Sequence, residues 1–196
     1  NVDGAMKEIG GMKPYAVTRM GLARTFQNIR LFKNLTALDN VKIAMHKNIK
    51  YGTLQAILRT PNYYREEERV EQQAEELLKV VHLYDKRNEL ASNLPYGEQR
   101  RLEIARALAT KPKVLFLDEP AAGMNPQETA DLTRLIHQIK DDFHLTVILI
   151  EHDMSLVMTI CERIYVLDYG KCIANGVPEV IKNDKRVIKA YLGEDI

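Results

Sequence analysis

The sequence predicts an α/β fold built on a parallel sheet, and three observations carry that prediction. Over roughly the last hundred residues, apolar runs of strand length alternate with amphipathic stretches of helix length, the pattern of right-handed strand-helix-strand crossovers. Val114-Leu115-Phe116-Leu117 is apolar without alternation, as in a strand covered on both faces. Residues 38–93 show only helical periodicity, so a helical subdomain is inserted into the α/β core.

The first 27 residues are mixed and glycine-rich, with Gly4, Gly10, Gly11 and Gly21. They end in Gly21-Leu22-Ala23-Arg24-Thr25-Phe26-Gln27, a short strand leading into a loop. Asn1-Val2-Asp3-Gly4 reads as a strand end entering a turn, which gives the chain the look of a fragment whose N-terminal part is missing. In the segment from Leu38 to Asn93, Val70, Ala74, Leu77, Leu78 and Val81 recur at helical spacing. Glu66, Glu67, Glu68, Glu71, Glu75 and Lys79 take the wetter side, and Glu75 and Lys79 are spaced for an i,i+4 ion pair. Pro61-Asn62 divides this region in two.

A helix from Gly97 to Thr110 follows, with Pro95 at its first position, Leu102, Ile104, Ala105 and Leu108 inward, and Lys111-Pro112 as its stop. After the strand Val114 to Leu117 comes the best-specified helix, Pro126 to Lys140. Asn125 caps it, Pro126 fits N1, Glu128 sits at N3, and Leu132, Leu135, Ile136 and Ile139 form its buried stripe. The strand Thr146 to Ile150, a helix after Asp153 and a further parallel strand, Ile164 to Leu167, complete the alternation. Tyr169-Gly170-Lys171 turns the chain, and one helix runs from Pro178 to about Leu192. The expected division is residues 1–30 as core remainder, 31–95 as helical subdomain and 96–196 as the rest of the core.

Composition narrows the function classes. With 28 Lys and Arg against 27 Asp and Glu, the net charge of +1 leaves no field directed at nucleic acid or a membrane surface. Cys161 and Cys172 have no second pair or histidine cluster, which fits reduced thiols better than a zinc site or a disulfide frame. No apolar run approaches the roughly 20 residues that cross a bilayer, so any membrane role needs a membrane partner.

Asp118 and Glu119 stand at the carboxyl end of the buried strand, where open α/β sheets place their ligands. Hydrolysis of a phosphoanhydride needs a magnesium ion on oxygen ligands and a group that orients or deprotonates water. Asp118 and Glu119 suit these two roles. Gly97 opens a helix whose N-terminal N–H groups and dipole favour an anion. His152 directly follows the strand Thr146 to Ile150, at the sheet edge that also carries Glu119, and can hydrogen-bond a terminal phosphate. The phosphate cradle Gly-x-x-x-x-Gly-Lys-Ser/Thr occurs nowhere; the one Gly-Lys pair, Gly170-Lys171, is followed by Cys172.

Taken in order, these pieces resemble the nucleotide-binding domain of ATP-binding cassette proteins. Gln27 matches the family's glutamine loop, Leu94 to Gln99 its signature, Asp118 and Glu119 its Walker B acids, Ala121 to Pro126 its D-loop and His152 its switch histidine. The resemblance covers essentially the whole chain and implies a P-loop NTPase-like core. Arg24 to Phe32, Glu119 to Pro126 and the tail Ala190-Tyr191-Leu192-Gly193-Glu194 look most like the ATP subunits of branched-chain amino acid importers. A lipopolysaccharide-export ATPase is second by its tail.

The resemblance implies ATP and Mg2+ as cofactors. It also implies a head-to-tail dimer with a second nucleotide-binding subunit, transmembrane permease subunits, an indirect link to a solute-binding protein, and a cytoplasmic place on the inner face of the membrane. By position, Asp118 would help hold magnesium, Glu119 would polarise water, His152 would contact the γ-phosphate, and Gln27 would sense the metal and relay to the membrane subunits. Tyr96, Gly97 and Glu98 would complete the partner's site in trans. Pro95 and Tyr96 stand where the signature usually has Ser and Gly, and Asn125 replaces the D-loop acid. The missing hydroxyl contact is worth about 1.5 to 3 kcal/mol, enough to weaken the motif without silencing it. Without its phosphate loop the chain alone is expected to be inactive; the alternative from another class is a non-catalytic module lending its signature in trans. An ATPase of DNA repair or translation would bring a basic stripe or a long coiled coil, and neither is present.

Overall fold

The apolar runs at 114–118 and 146–150 become neighbouring strands of a parallel sheet. In this computed structural model the described residues are Met6, 8–49 and 51–192. The expected strand end at Asn1 to Gly4, and Gly193 and Glu194 of the tail, lie outside them. The chain divides into two compact units, residues 1–150 and residues 151–196.

In the first unit the sheet order is β1-β2-β3, with β1 Leu22–Arg24, β2 Val114–Asp118 and β3 Thr146–Ile150. Both pairings are parallel, with Leu22 opposite Val114 and Val114 to Asp118 opposite Thr146 to Ile150. Coverage of β2 is less complete than its apolar run suggests. Leu115 and Leu117 are fully buried, whereas Val114, Phe116 and Asp118 on the other face are half-buried.

The helices before β2 pack on β1 or on one another, for reasons visible in their sequences. α1 (Pro14–Arg19) begins on a proline in a stretch where sequence pattern alone suggested no element. α2 (Ala37–Ala44) is capped by Thr36, whose hydroxyl accepts the Asp39 N–H, and α3 (Thr53–Ile57) is a single short turn. Pro61 divides the helical region as expected, because it occupies the first turn of α4 (Pro61–Val80).

Two expectations on α4 are corrected. Glu66 is buried, since it lies one helical turn before Val70 on the apolar face, and the Arg69 guanidinium 2.6 Å away neutralises it. Lys79 pairs with Glu76 at 2.6 Å instead of Glu75, which faces Arg87 at 3.5 Å.

α5 (Tyr96–Ala109) starts one residue earlier than expected, with Pro95 at the cap and Tyr96 at N1. α6 (Pro126–Asp142) has the full capping box between Asn125 and Glu128, and buries Leu132, Leu135, Ile136 and Ile139. Each such side chain contributes about 1.5 to 3 kcal/mol on burial.

The second unit overturns the last parallel strand. β4 (Ile164–Asp168) pairs antiparallel with β5 (Lys171–Gly176), a strand the sequence reading missed. The cause is local: Tyr169 and Gly170 both have positive φ, 42° and 77°, the twist of a two-residue hairpin turn. The expected single C-terminal helix is two, α8 (Pro178–Lys182) and α9 (Lys185–Leu192). Asp184 separates them by accepting the Arg186 N–H on its carboxylate at 2.9 Å, starting a new helix instead of continuing the old one. With α7 (Met154–Ile160), these elements enclose a small core of Val157, Ile164, Val166, Ala174, Ile181 and Val187. Cys161 and Cys172 are free thiols, and burial pushes that of Cys161 up.

Candidate functional site

β2 delivers two acids to the carboxyl end of the parallel sheet, where one meets the last residue of β1 and the other a residue of the loop that follows it. Asp118 Oδ2 lies 2.6 Å from the Arg24 guanidinium. Glu119 Oε2 accepts the Gln27 carboxamide N–H at 2.6 Å. The ladder extends one residue past the strand, because the Glu119 N–H bonds the Ile150 carbonyl at 2.9 Å. Glu119 itself has φ 42°, in the left-handed region, where the chain leaves the sheet for the turn through Gly123 (φ 77°). Ala122 N–H to the Glu119 carbonyl and Met124 N–H to the Ala121 carbonyl close that turn. Gln27, Asp118 and Glu119, separated by ninety residues of chain, are thus one constellation.

The N-terminus of α5 packs against the same turn. Gly97 is buried, and a Cβ there would lie 3.0 Å from the Glu128 carboxylate, so any side chain would have to displace Glu128 from the capping box of α6. Asn125 is engaged in that box: its side-chain oxygen accepts the Glu128 N–H at 2.9 Å, and its own N–H donates to Glu128 at 3.0 Å. Tyr96 is 43% exposed and its ring faces Gly123. Glu98 is held by Lys86 at 2.6 Å.

Arg100 is the residue sequence reasoning missed. It is fully buried and donates to the carbonyls of Phe26 (2.6 Å) and Gln27 (2.8 Å), to Glu103 (2.7 Å) and to the Tyr96 hydroxyl (3.2 Å). Glu103 in turn accepts the N–H groups of Phe26 and Arg30, each at 3.4 Å. The available signal was spacing, since Tyr96, Arg100 and Glu103 fall on one helix face. Beside this hub lies a groove of about 710 Å³ lined by Arg24, Phe26, Arg30, Phe32 and Arg106, among others. Burial there lowers the pKa of Arg106.

His152 belongs to the second unit. Its ring is 73% exposed and lies 3.9 Å from the Glu151 carboxylate. The next residue, Asp153, caps α7 through the N–H groups of Ser155 and Leu156, and the Ser155 hydroxyl holds its carboxyl below the usual range.

Among the described residues, no three His, Cys, Asp or Glu side chains cluster as a cage for a metal. Magnesium does not need one, because it takes one or two carboxylates and fills its octahedron with substrate phosphates and water. Asp118 and the Gln27 amide oxygen are such an oxygen set, so the donors present fit the ion. Among the same residues, no helix is long and apolar enough to cross a membrane.

Residues 4–122 match the family model described as ABC transporter, and residues 171–196 match one described as branched-chain amino acid ATP-binding cassette transporter. The chain is 46% identical over 188 residues to the high-affinity branched-chain amino acid transport ATP-binding protein LivG of Escherichia coli K12, covering 96% of this chain and 74% of that one. It is more distant, at 35% over 181 residues, from the lipopolysaccharide export system ATP-binding protein LptB of the same organism, covering 92% of this chain and 69% of LptB. The fold is similar to a crystal structure of the ADP conformation of MJ1267, an ATP-binding cassette of an ABC transporter. That match has a TM-score of 0.76 and 29% identity, covering 96% of this chain and 74% of that one.

Proposed function

The chain belongs to the ATP-binding cassette transporter family, and from that premise we propose that it is the ATP-hydrolysing subunit that energises a branched-chain amino acid importer. The higher identity to LivG than to LptB favours import over lipopolysaccharide export. The observation that supports the chemistry is the 2.6 Å bond between Gln27 and Glu119 at the end of β2, which fixes a carboxylate at a strand end as a general base requires.

Glu119 is the residue that takes the proton from water, and Gln27 sets its angle. Asp118 is the magnesium ligand, with the Gln27 amide oxygen as a second donor once its N–H side is held by Glu119. Bound magnesium supplies charge neutralisation on the transferred phosphoryl group. Arg24, 2.6 Å away, gives Asp118 a counter-charge that holds the carboxylate in place. His152 donates a hydrogen bond to the terminal phosphate. Tyr96, Gly97 and Glu98, with Asn125 behind them, form the surface offered to the nucleotide of a second subunit in a head-to-tail dimer. Hydrolysis also requires a phosphate-cradling loop, which these 196 residues do not contain.

The groove beside Gln27 is the docking place of a transmembrane permease subunit, because movement of Gln27 reaches its lining through Phe26 and Arg30. The subunit then sits on the inner face of the membrane, reaching a solute-binding protein only through the permease. In this division residues 31–95 are a helical subdomain between the two core segments, 1–30 and 96–196.

The test is Glu119→Gln in the complete ATPase assembled with its permease. Hydrolysis is expected to fall by about 10²- to 10⁴-fold while ATP-bound dimers accumulate on gel filtration. Unchanged turnover would reject Glu119 as the base.

A further inference from the structure

The hub around Arg100 joins two parts of the site that otherwise belong to different tasks. Tyr96 lies in the surface offered to a partner's nucleotide, and Gln27 lies against Glu119 in the chain's own site. Arg100 touches both: one nitrogen, Nη2, donates to the Tyr96 hydroxyl at 3.2 Å and to the Gln27 carbonyl at 2.8 Å. The other terminal nitrogen reaches Phe26 at 2.6 Å and Glu103 at 2.7 Å, so the planar fork is pinned by four acceptors. Two of the four are backbone carbonyls, and a third is a carboxylate that itself holds the N–H groups of Phe26 and Arg30.

Such an arrangement is expensive. The guanidinium is fully buried, its Nε has no hydrogen-bond partner, and a single carboxylate balances its charge. An apolar side chain on this face of α5 would pack without that cost. What it would lose is the grip on the Gln27 backbone.

We infer that Arg100, tied to the Tyr96 phenol, is the positioning residue that sets the Gln27 carboxamide against Glu119, so that the signature turn and the glutamine loop shift as one piece. Tyr96, where the family signature usually has glycine, gains a purpose from this geometry: its hydroxyl lets displacement of the signature by a partner's nucleotide reach Gln27 directly. The inference rests on the roles proposed for Gln27 and Glu119 above.

The experiment is a double-mutant cycle in the complete ATPase with its permease, reading kcat and the KM for ATP. Arg100→Lys keeps the charge but not the fork, and is expected to lower kcat about 10-fold with KM changed less than about 2-fold. In a Gln27→Ala background the same change should cost less than about 2-fold, because the group it positions is gone. Losses that multiply would show Arg100 acting by another route and overturn the inference. Tyr96→Phe deletes one oxygen and spares the fold, so its loss in kcat must also vanish with Gln27→Ala; a loss that persists overturns the link to Tyr96. If Gln27→Ala alone leaves kcat intact, the role given to Gln27 fails first, and the inference falls with it.

Discussion

In the first unit Gln27 and Glu119 meet at 2.6 Å over a core that includes Leu102, Ile104, Leu115, Leu117 and Ile136, all buried to the last atom. In the second, His152 stands 73% exposed on a turn ahead of a seven-residue helix, and the unit has a core cluster of six buried residues. The difference teaches where precision is needed. Glu119, proposed above to meet water at a defined angle, is mounted on the end of a parallel strand and held by backbone and side-chain bonds. His152, proposed above to donate to a phosphate, is carried by a unit with a smaller apolar core.

The contrast is sharpest in the cores. Ile136→Ala and Ile181→Ala each remove a fully buried side chain, one per unit, and each should cost about 2 to 5 kcal/mol. Hydrogen exchange distinguishes the units: Ile181→Ala should expose the amides of β4 and β5 while β2 stays protected. Equal loss of protection in β2 from both variants would break the comparison.

Helix caps give a smaller effect. Asn125→Ala removes the box of α6, and Asp153→Ala the cap of α7, for about 0.5 to 2 kcal/mol each by denaturant titration. Only the first should also loosen Glu128 from its place beside Gly97, and so weaken dimer formation with ATP.

Acid gives the smallest. Asp184 is depressed to about 2, chiefly by the Arg186 side chain, and Asp153 is depressed by the Ser155 hydroxyl. A carboxyl whose folded pKa lies below its unfolded value stabilises the fold above about pH 4, and that contribution disappears as pH falls through the folded pKa. Both residues lie in the second unit, so between about pH 4 and about 2 its helical signal should decline. Circular dichroism of Asp184→Asn, expected to decline less over that window because only Asp153 of the pair still titrates there, checks the assignment.

Much of the first unit was legible because its signals are local. The Asn125-Pro126 and Glu128 pattern contains the whole capping box of α6, and the stripe Leu132 to Ile139 requires only a 3.6-residue period. Where two local rules compete, reading by pattern failed. Ile164 to Leu167 looks like any buried strand, and only the left-handed pair Tyr169-Gly170 makes it half of a hairpin. Glu66 was placed in water by its charge, although its spacing to Val70 and Ala74 put it on the apolar face. In the candidate site, the acids and Gln27 stood out as strand-end residues, and the structure brings them within hydrogen-bonding reach. Arg100 did not stand out, because helical spacing connects it only to Tyr96 and Glu103, while the backbone carbonyls it holds are 73 and 74 residues away.

The left-handed backbone of Glu119 bears on how this protein would evolve. A residue with a Cβ held at φ 42° costs about 1 to 2 kcal/mol that glycine would not incur. Selection for heat tolerance alone would therefore reward glycine at 119, discarding the carboxylate for a more robust fold. Thermostabilised lineages obtained without an activity screen should accept glycine at 119, and under the role proposed for Glu119 they would trade turnover for endurance in one peptide unit.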